Sequence, residues 1–297
     1  MSRSVYGARL QEHADLFEQS YTRYLPARDG LQATGANAMH YACEAGGKRI
    51  RPVLLMECYR LCGGDPAAAL PFAAAIEMIH SYSLVHDDLP CMDNSPLRRG
   101  RPSTHAVYGE TMALLAGDGL LNRAFETMLK PQDAIPAAYV LNAAGTLADA
   151  AGIDGMVGGQ IIDLESEGKP VSLAVLEALQ RGKTAALLTA ACVMGAQLAG
   201  ADAQKIAAVR GYGENLGLCF QIVDDLLDVT ATEQQLGKPV GSDQRNEKTT
   251  YVTLLGMEKA RALAVERTAA AIDALKIFDN EAEELRQLAR LLLERDH

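Results

Sequence analysis

Apolar residues recur at helical spacing along most of this chain, and the runs stop at proline, glycine and capping residues. The first run covers Val5 to Leu25 and ends at Pro26 and the Asp29-Gly30 turn; a shorter one lies around Ala36 to Glu44. Pro52 suits the first turn of a third helix, where its missing N–H costs nothing, and Gly63-Gly64 closes that helix. Asp65-Pro66 then caps one long helix expected to reach about Leu89, where Pro90 breaks it. Further helices are predicted over Thr104 to Met128, Asp133 to Ala150, Gly155 to Gly168, and from the Ser172 cap to Arg181. The apolar stretch Ala185 to Ala203 follows, then Ala203 to Val229, and two helices complete the chain from Thr249. No segment carries a strand signal. The pattern predicts an all-α protein, and without a compositional break it predicts a single domain over residues 1–297. Helices of ~15 to 25 residues are rods of ~20 to 40 Å, long enough to enclose a deep apolar cleft.

Composition agrees with helix on helix. There is no Trp, only 5% of residues are aromatic and 48% are hydrophobic, with Ala and Leu prominent. The formal net charge of -10 argues against nonspecific nucleic-acid binding, and no basic tract offsets it. Cysteines stand at 43, 58, 62, 91, 192 and 219 without a CxxC pair, so they read as reduced packing residues. The start, MSRSVYGARLQEHADLFEQS, has no apolar core and carries acids, which fits neither a secretory nor a transit peptide. Ala185 to Ala203 is rich in Ala and Gly and reads as a buried core helix, not a membrane span. A cytoplasmic protein is expected.

Two acidic clusters change the picture. In HSYSLVHDDLPCMDNSPLRRGRPSTH, His80 to His105, three carboxylates (Asp87, Asp88, Asp93) precede Arg98 and Arg99. Carboxylates without sulfur or a tight imidazole cage suit a hard cation such as Mg2+, whereas guanidinium forks match phosphate oxygens. A Mg2+-bound phosphate ester satisfies both. His80, Ser83 and Asp87 share one helix face, with Tyr82 on a neighbouring stripe. The second cluster, Asp224, Asp225 and Asp228, ends a helix among Leu, Ile and Val, with Gln221 on the face of Asp224 and Asp228. Like charges at that spacing repel, so a cation is expected there too. Upstream, GGKRIRP projects Lys48 and Arg51 from one turn.

The motifs GGKRIRP, EMIHSYSLVHDDLPCMDNSPLRRGRPSTH, YGETMALLAGD, GGQIIDL, GKT, FQIVDDLLD and GKPVGSD occur in this order. Together they resemble the isoprenyl diphosphate synthases, and within them the short-chain bacterial farnesyl diphosphate synthase branch. The resemblance covers nearly the whole chain and implies an antiparallel helical bundle of the isoprenoid synthase type with a deep central cleft. It implies that Asp87 and Asp93, supported by Asp88, bind Mg2+ on the allylic diphosphate, and that Asp224, Asp225 and Asp228 hold Mg2+ from the opposite wall. Roughly three Mg2+ ions per site are expected, with Mn2+ as a substitute. Lys48, Arg51, His80 and Arg99 would grip isopentenyl diphosphate. Arg98, Lys183 and Lys238 would contact the allylic diphosphate, with Lys248 in the same loop as Lys238. Thr184 and Gln221 would face the nascent allylic cation, and Gln160 would lie near the same pocket.

The implied reaction is head-to-tail condensation of isopentenyl diphosphate with dimethylallyl and geranyl diphosphate, giving the fifteen-carbon diphosphate from a homodimer. Bulk at Tyr82 and Ser83, four or five positions before Asp87, would set the pocket floor; the alternative floor is near Met112 or Leu115. Geranyl or geranylgeranyl diphosphate synthesis is the alternative activity. Asn94 and Ser95 stand where relatives often carry Asp, and Glu247 where Gly commonly precedes Lys248, which bears on metal affinity and loop closure. A terpene cyclase would not be expected to keep the grips for a second diphosphate. A non-catalytic partner subunit would be free to lose its Asp clusters, and an HD-type phosphohydrolase, suggested by His86-Asp87, lacks a second metal-binding histidine.

Overall fold

The computed structural model describes residues 6–130, 134–230 and 249–294. Its helices are α1 (Ala8–Ser20), α2 (Ala33–Cys43), α3 (Ile50–Leu61), α4 (Leu70–Asp87), α5 (Thr104–Tyr108), α6 (Glu110–Leu129), α7 (Ala137–Ala151), α8 (Met156–Ser166), α9 (Leu173–Gln180), α10 (Ala186–Leu198) and α11 (Ala203–Thr230). Three more follow: α12 (Tyr251–Leu255), α13 (Met257–Ala274) and α14 (Glu283–Glu294). The architecture is all-α, as the hydrophobic pattern predicts.

α10 is the axis of the bundle. All but two of its residues are buried, and it packs against α3, α7 and α11, while α4 lies between α3 and α6. This explains its near-continuous apolar sequence: a helix covered on every side has no polar face to show. Asp65 accepts from the Ala67 N–H and Pro66 follows it, so the capping signal is obeyed; the first turn is 3-10 (Pro66–Ala69) before α4 begins. The span Pro66–Asp87 is apolar and long enough to cross a membrane, but 72% of it is buried inside the protein.

Three predicted elements come out differently. Thr104 to Met128 is two helices, because Gly109 takes φ 82 between α5 and α6. The tail after Thr249 holds three helices and a 3-10 segment, Lys276–Ala282, instead of two helices. LRRGRP folds into a small antiparallel hairpin, Leu97–Arg98 with Arg101–Pro102, where no strand was expected. Its two-residue turn, Arg99-Gly100, has φ 53 and 74, the left-handed pair that suits the twist of a tight hairpin. Two-residue strands are too short to leave an alternating pattern.

Candidate active site

A cavity of about 360 Å³ opens between α4, α8 and the start of α10. Arg51, His80, Tyr82, Ser83, Asp87, Gln160, Lys183 and Thr184 all line it. The remainder of the wall is apolar apart from His86: Leu84, Met92, Met156, Val157, Ile161, Leu164 and Leu187. Two adjoining spaces share residues with it. One holds Lys183 and Thr184 with Gln221 and Asp225; the other holds His80 with Asp88, Arg98 and Arg99. Met112 and Leu115 do not line the main cavity, and Leu115 is half-exposed.

The first acidic cluster is folded back on its helix. Asp93 N–H donates to Asp87 O at 2.9 Å and Ser95 N–H to Asp88 O at 3.2 Å, which returns Asp93 to the side of Asp87. Asn94 sits at φ 47, a conformation that Asn accepts better than most residues. Burial raises the Asp87 carboxyl above its usual range; Lys183 opposes this, Asp93 adds to it, and Arg98 and Asp88 contribute further in opposite senses. An oxygen-only cluster whose charge is uncomfortable when bare fits a hard divalent cation. Among the described residues no three His, Cys, Asp or Glu side chains converge as a complete metal cage.

Asp88 is engaged elsewhere. It is buried, and Arg98 grips it as a fork, with Nη2 donating to Oδ1 at 2.6 Å and Nε 3.1 Å from both oxygens. Arg99 points the other way: a Cβ placed on Gly47 would meet its Nη1 at 2.5 Å, so its guanidinium lies on the backbone of the GGKRIRP turn. Lys48 is on that turn, its carbonyl accepting from the Tyr6 hydroxyl, and it does not line the cavity.

Around His80 the charge is strongly positive. Burial, then Arg51, Arg99, Arg49 and Arg98, hold its imidazole well below its ordinary value, so it is neutral near pH 7. Burial also depresses Arg51, with Glu77 supporting its charge and Arg99 opposing it, and its Nε is buried without a hydrogen-bond partner. Gln160 Nε2 is orphaned in the same way. Both residues line the one cavity, and buried donors left without a partner call for anionic or carbonyl oxygen.

On the opposite wall, α9 and α10 are joined through a π turn, Arg181–Ala185, which carries Lys183 and Thr184. Lys183 Nζ donates to Asp163 Oδ2, Thr184 Oγ1 donates to Gln221 Oε1 at 3.2 Å, and Gln221 Nε2 to Asp225 Oδ1 at 3.3 Å. Asp225 is buried and its other oxygen accepts from Tyr251 N–H at 2.8 Å, so it anchors the start of α12. Asp224 is half-buried and Asp228 buried; neither lines these three spaces. Lys238, Asp243, Glu247 and Lys248 lie outside the described residues.

Arg49, Glu77 and Asp163 escaped the sequence reading. Arg49, at φ 49 and 5% exposed, donates to Glu18, Glu77 and Cys43 O, and its guanidinium lies over the rings of Phe17 and Tyr21. It holds the turn that presents Arg51. The signal available was Glu77, a lone acid in an otherwise apolar run, three residues before His80.

With this geometry established, comparison with known proteins gives one answer. Residues 32–291 match the polyprenyl synthetase family. The chain is 46% identical to a farnesyl diphosphate synthase of Geobacillus stearothermophilus, over 97% of each chain. It also resembles the solved geranylgeranyl pyrophosphate synthetase of Pyrococcus horikoshii (TM-score 0.88, 32% identity, 97% of this chain and 98% of that one). A geranyltransferase from Helicobacter pylori, solved with magnesium and isoprenyl diphosphate, superposes with TM-score 0.82 at 31% identity over 97% of both chains.

Proposed function

From the premise that this chain belongs to the polyprenyl synthetase family and is a prenyl diphosphate synthase, we propose that it condenses isopentenyl diphosphate head to tail with dimethylallyl and geranyl diphosphate. The product is the fifteen-carbon (2E,6E) diphosphate. The observation that supports this reading is that Arg51 Nε and Gln160 Nε2 are both buried and unsatisfied, on residues that line one cavity with Asp87 and Tyr82. A diphosphate supplies the missing acceptors and a prenyl chain fills the apolar remainder.

Asp87 and Asp93, with Asp224, Asp225 and Asp228 opposite, would hold Mg2+. The ions would supply positive charge to the departing diphosphate; a relative was solved with magnesium and isoprenyl diphosphate. The residues of this chain do the rest. Lys183 and Arg98 add fixed positive charge where the allylic leaving group gathers negative charge. Arg51, Arg99 and Lys48 bind the second diphosphate, with neutral His80 as a hydrogen-bonding partner. Thr184 and Gln221 face their oxygens toward the allylic cation, and Met156, Ile161 and Leu187 keep water from it. The double bond of isopentenyl diphosphate attacks that cation, and the released diphosphate takes the proton lost.

A homodimer belongs to the same reading. Leu114, Leu115 and Leu129 on α6 and Tyr139 and Leu141 on α7 are exposed, Leu141 by 63%, and α6 and α7 pack side by side. Exposed apolar side chains on two neighbouring helices suit burial against a second copy. Six cysteines, none of them in a disulfide among the described residues and four of them buried, suit the reducing cytoplasm. One catalytic domain accounts for the full family match.

Incubation with labelled isopentenyl diphosphate, dimethylallyl diphosphate and Mg2+ should yield labelled prenyl diphosphate, and EDTA should abolish it. No incorporation under any divalent metal would overturn the reading.

A further inference from the structure

The chain-length stop has a brace that the motifs do not announce. His86 stands one turn beyond Tyr82 on α4, and the two rings meet edge to face with centroids 5.7 Å apart at 78°. The other side of His86 rests on α6. Its Nε2 lies 3.1 Å from Leu114 O, and because a carbonyl only accepts, that nitrogen carries the proton. Asp118 Oδ1 is 3.9 Å from the same nitrogen. The ring fits there because residue 117 is glycine: a Cβ at Gly117 would fall 2.0 Å from Nε2 and 2.3 Å from Cδ2. Both His86 and Tyr82 line the cavity that receives the growing chain.

We infer that His86 is a positioning residue for product length, seated by Gly117 and the Leu114 carbonyl so that its ring holds the Tyr82 ring across the end of the cavity. This rests on the prenyl-transfer reading and on Tyr82 as the floor. Among the described residues Tyr82 shows no side-chain hydrogen bond, so its ring is oriented by packing, and His86 is the one aromatic ring in contact with it there. A tail reaching the floor pushes against both rings. If His86 could give way, Tyr82 could rotate and the tail could pass between α4 and α6.

The test is product length, which a merely structural role would not move in two directions. His86→Ala should raise the twenty-carbon share of the product by about tenfold or more over wild type with Tyr82 intact. His86→Gln, whose amide nitrogen reaches the position of Nε2 and can donate to Leu114 O, should restore fifteen carbons. Gly117→Ala acts from the other helix and keeps the full α4 sequence, so it serves if His86 variants fold poorly. Its Cβ forces the ring off α6 toward the cavity, and the ten-carbon share should rise. Unchanged lengths in His86→Ala and Gly117→Ala, with Tyr82→Ala lengthening as expected, would overturn the brace while leaving the floor. Unchanged lengths in all three would overturn both, and failure of wild type to condense the substrates at all would refute the underlying reading.

Discussion

Arg98 holds Asp88 in a two-pronged grip, Nη2 to Oδ1 at 2.6 Å, and thereby removes the middle acid of the first cluster from the cavity face. The next side chain, Arg99, lies on Gly47 instead. Arg98 ends the first strand of the hairpin and Arg99 opens its turn at φ 53, so the two guanidinium groups part although the residues are adjacent in sequence.

Arg98→Ala should therefore chiefly impair the allylic substrate, and Arg99→Ala should chiefly raise KM for isopentenyl diphosphate. Steady-state kinetics with each substrate varied in turn checks this. Equal losses for both substrates in both variants would contradict the division.

The Arg49–Glu77 pair is buried on both sides, with Nη1 to Oε1 at 2.8 Å. Glu77→Ala leaves Arg49 with Glu18 and the Cys43 carbonyl but removes its one buried carboxylate, so it should cost about 1.5–3 kcal/mol of stability in denaturant titration. It should also weaken isopentenyl diphosphate binding, because Arg49 fixes the turn that carries Arg51. A loss under 1 kcal/mol would show the pair to be dispensable.

Stability should fall as pH drops below the ordinary histidine value. The His80 imidazole is held well below 6.5 by burial and four arginines, so the unfolded chain binds the proton first. Stability contributed by the neutral ring is present above that ordinary value and is lost on acidification toward the depressed one, at a slope of at most ~1.4 kcal/mol per pH unit. His80→Gln should flatten thermal or urea stability between pH 6.5 and 5. An unchanged slope would assign the acid loss to other groups.

Much of this was legible in the sequence, and the exceptions have physical causes. Helical periodicity located nearly every helix, and Asp87, His80, Lys183 and Thr184, taken from separate motifs, line one cavity. Gly109 was passed over because one glycine in an apolar run does not announce a left-handed φ. The engagement of Asp88 and Asp225 was also hidden. Sequence spacing shows which carboxylates share a face, but not that Arg98 or the Tyr251 N–H satisfies one of them first. Arg49 was missed because GGKRIRP holds three cations, and only the fold shows which of them turns inward.

Activity should require a divalent cation, with Mg2+ preferred over softer metals. Asp87→Ala and Asp224→Ala should each lower turnover by orders of magnitude while far-ultraviolet circular dichroism stays helical. Full turnover in EDTA would remove the metal from the account.

The central claim is that the prenyl chain grows from Asp87 along α4 and stops at Tyr82, 7% exposed and about one turn away, a rise of ~6–8 Å. Ser83, beside it, is small and turned to His80 O at 2.9 Å, which leaves the tail its room; Ser83→Phe should stop growth at ten carbons. The most direct measurement sets wild type beside Tyr82→Ala, each with dimethylallyl diphosphate and excess labelled isopentenyl diphosphate, and resolves the dephosphorylated products by chain length. The account predicts fifteen carbons from wild type and twenty or more from the variant. The same length from both proteins would contradict it.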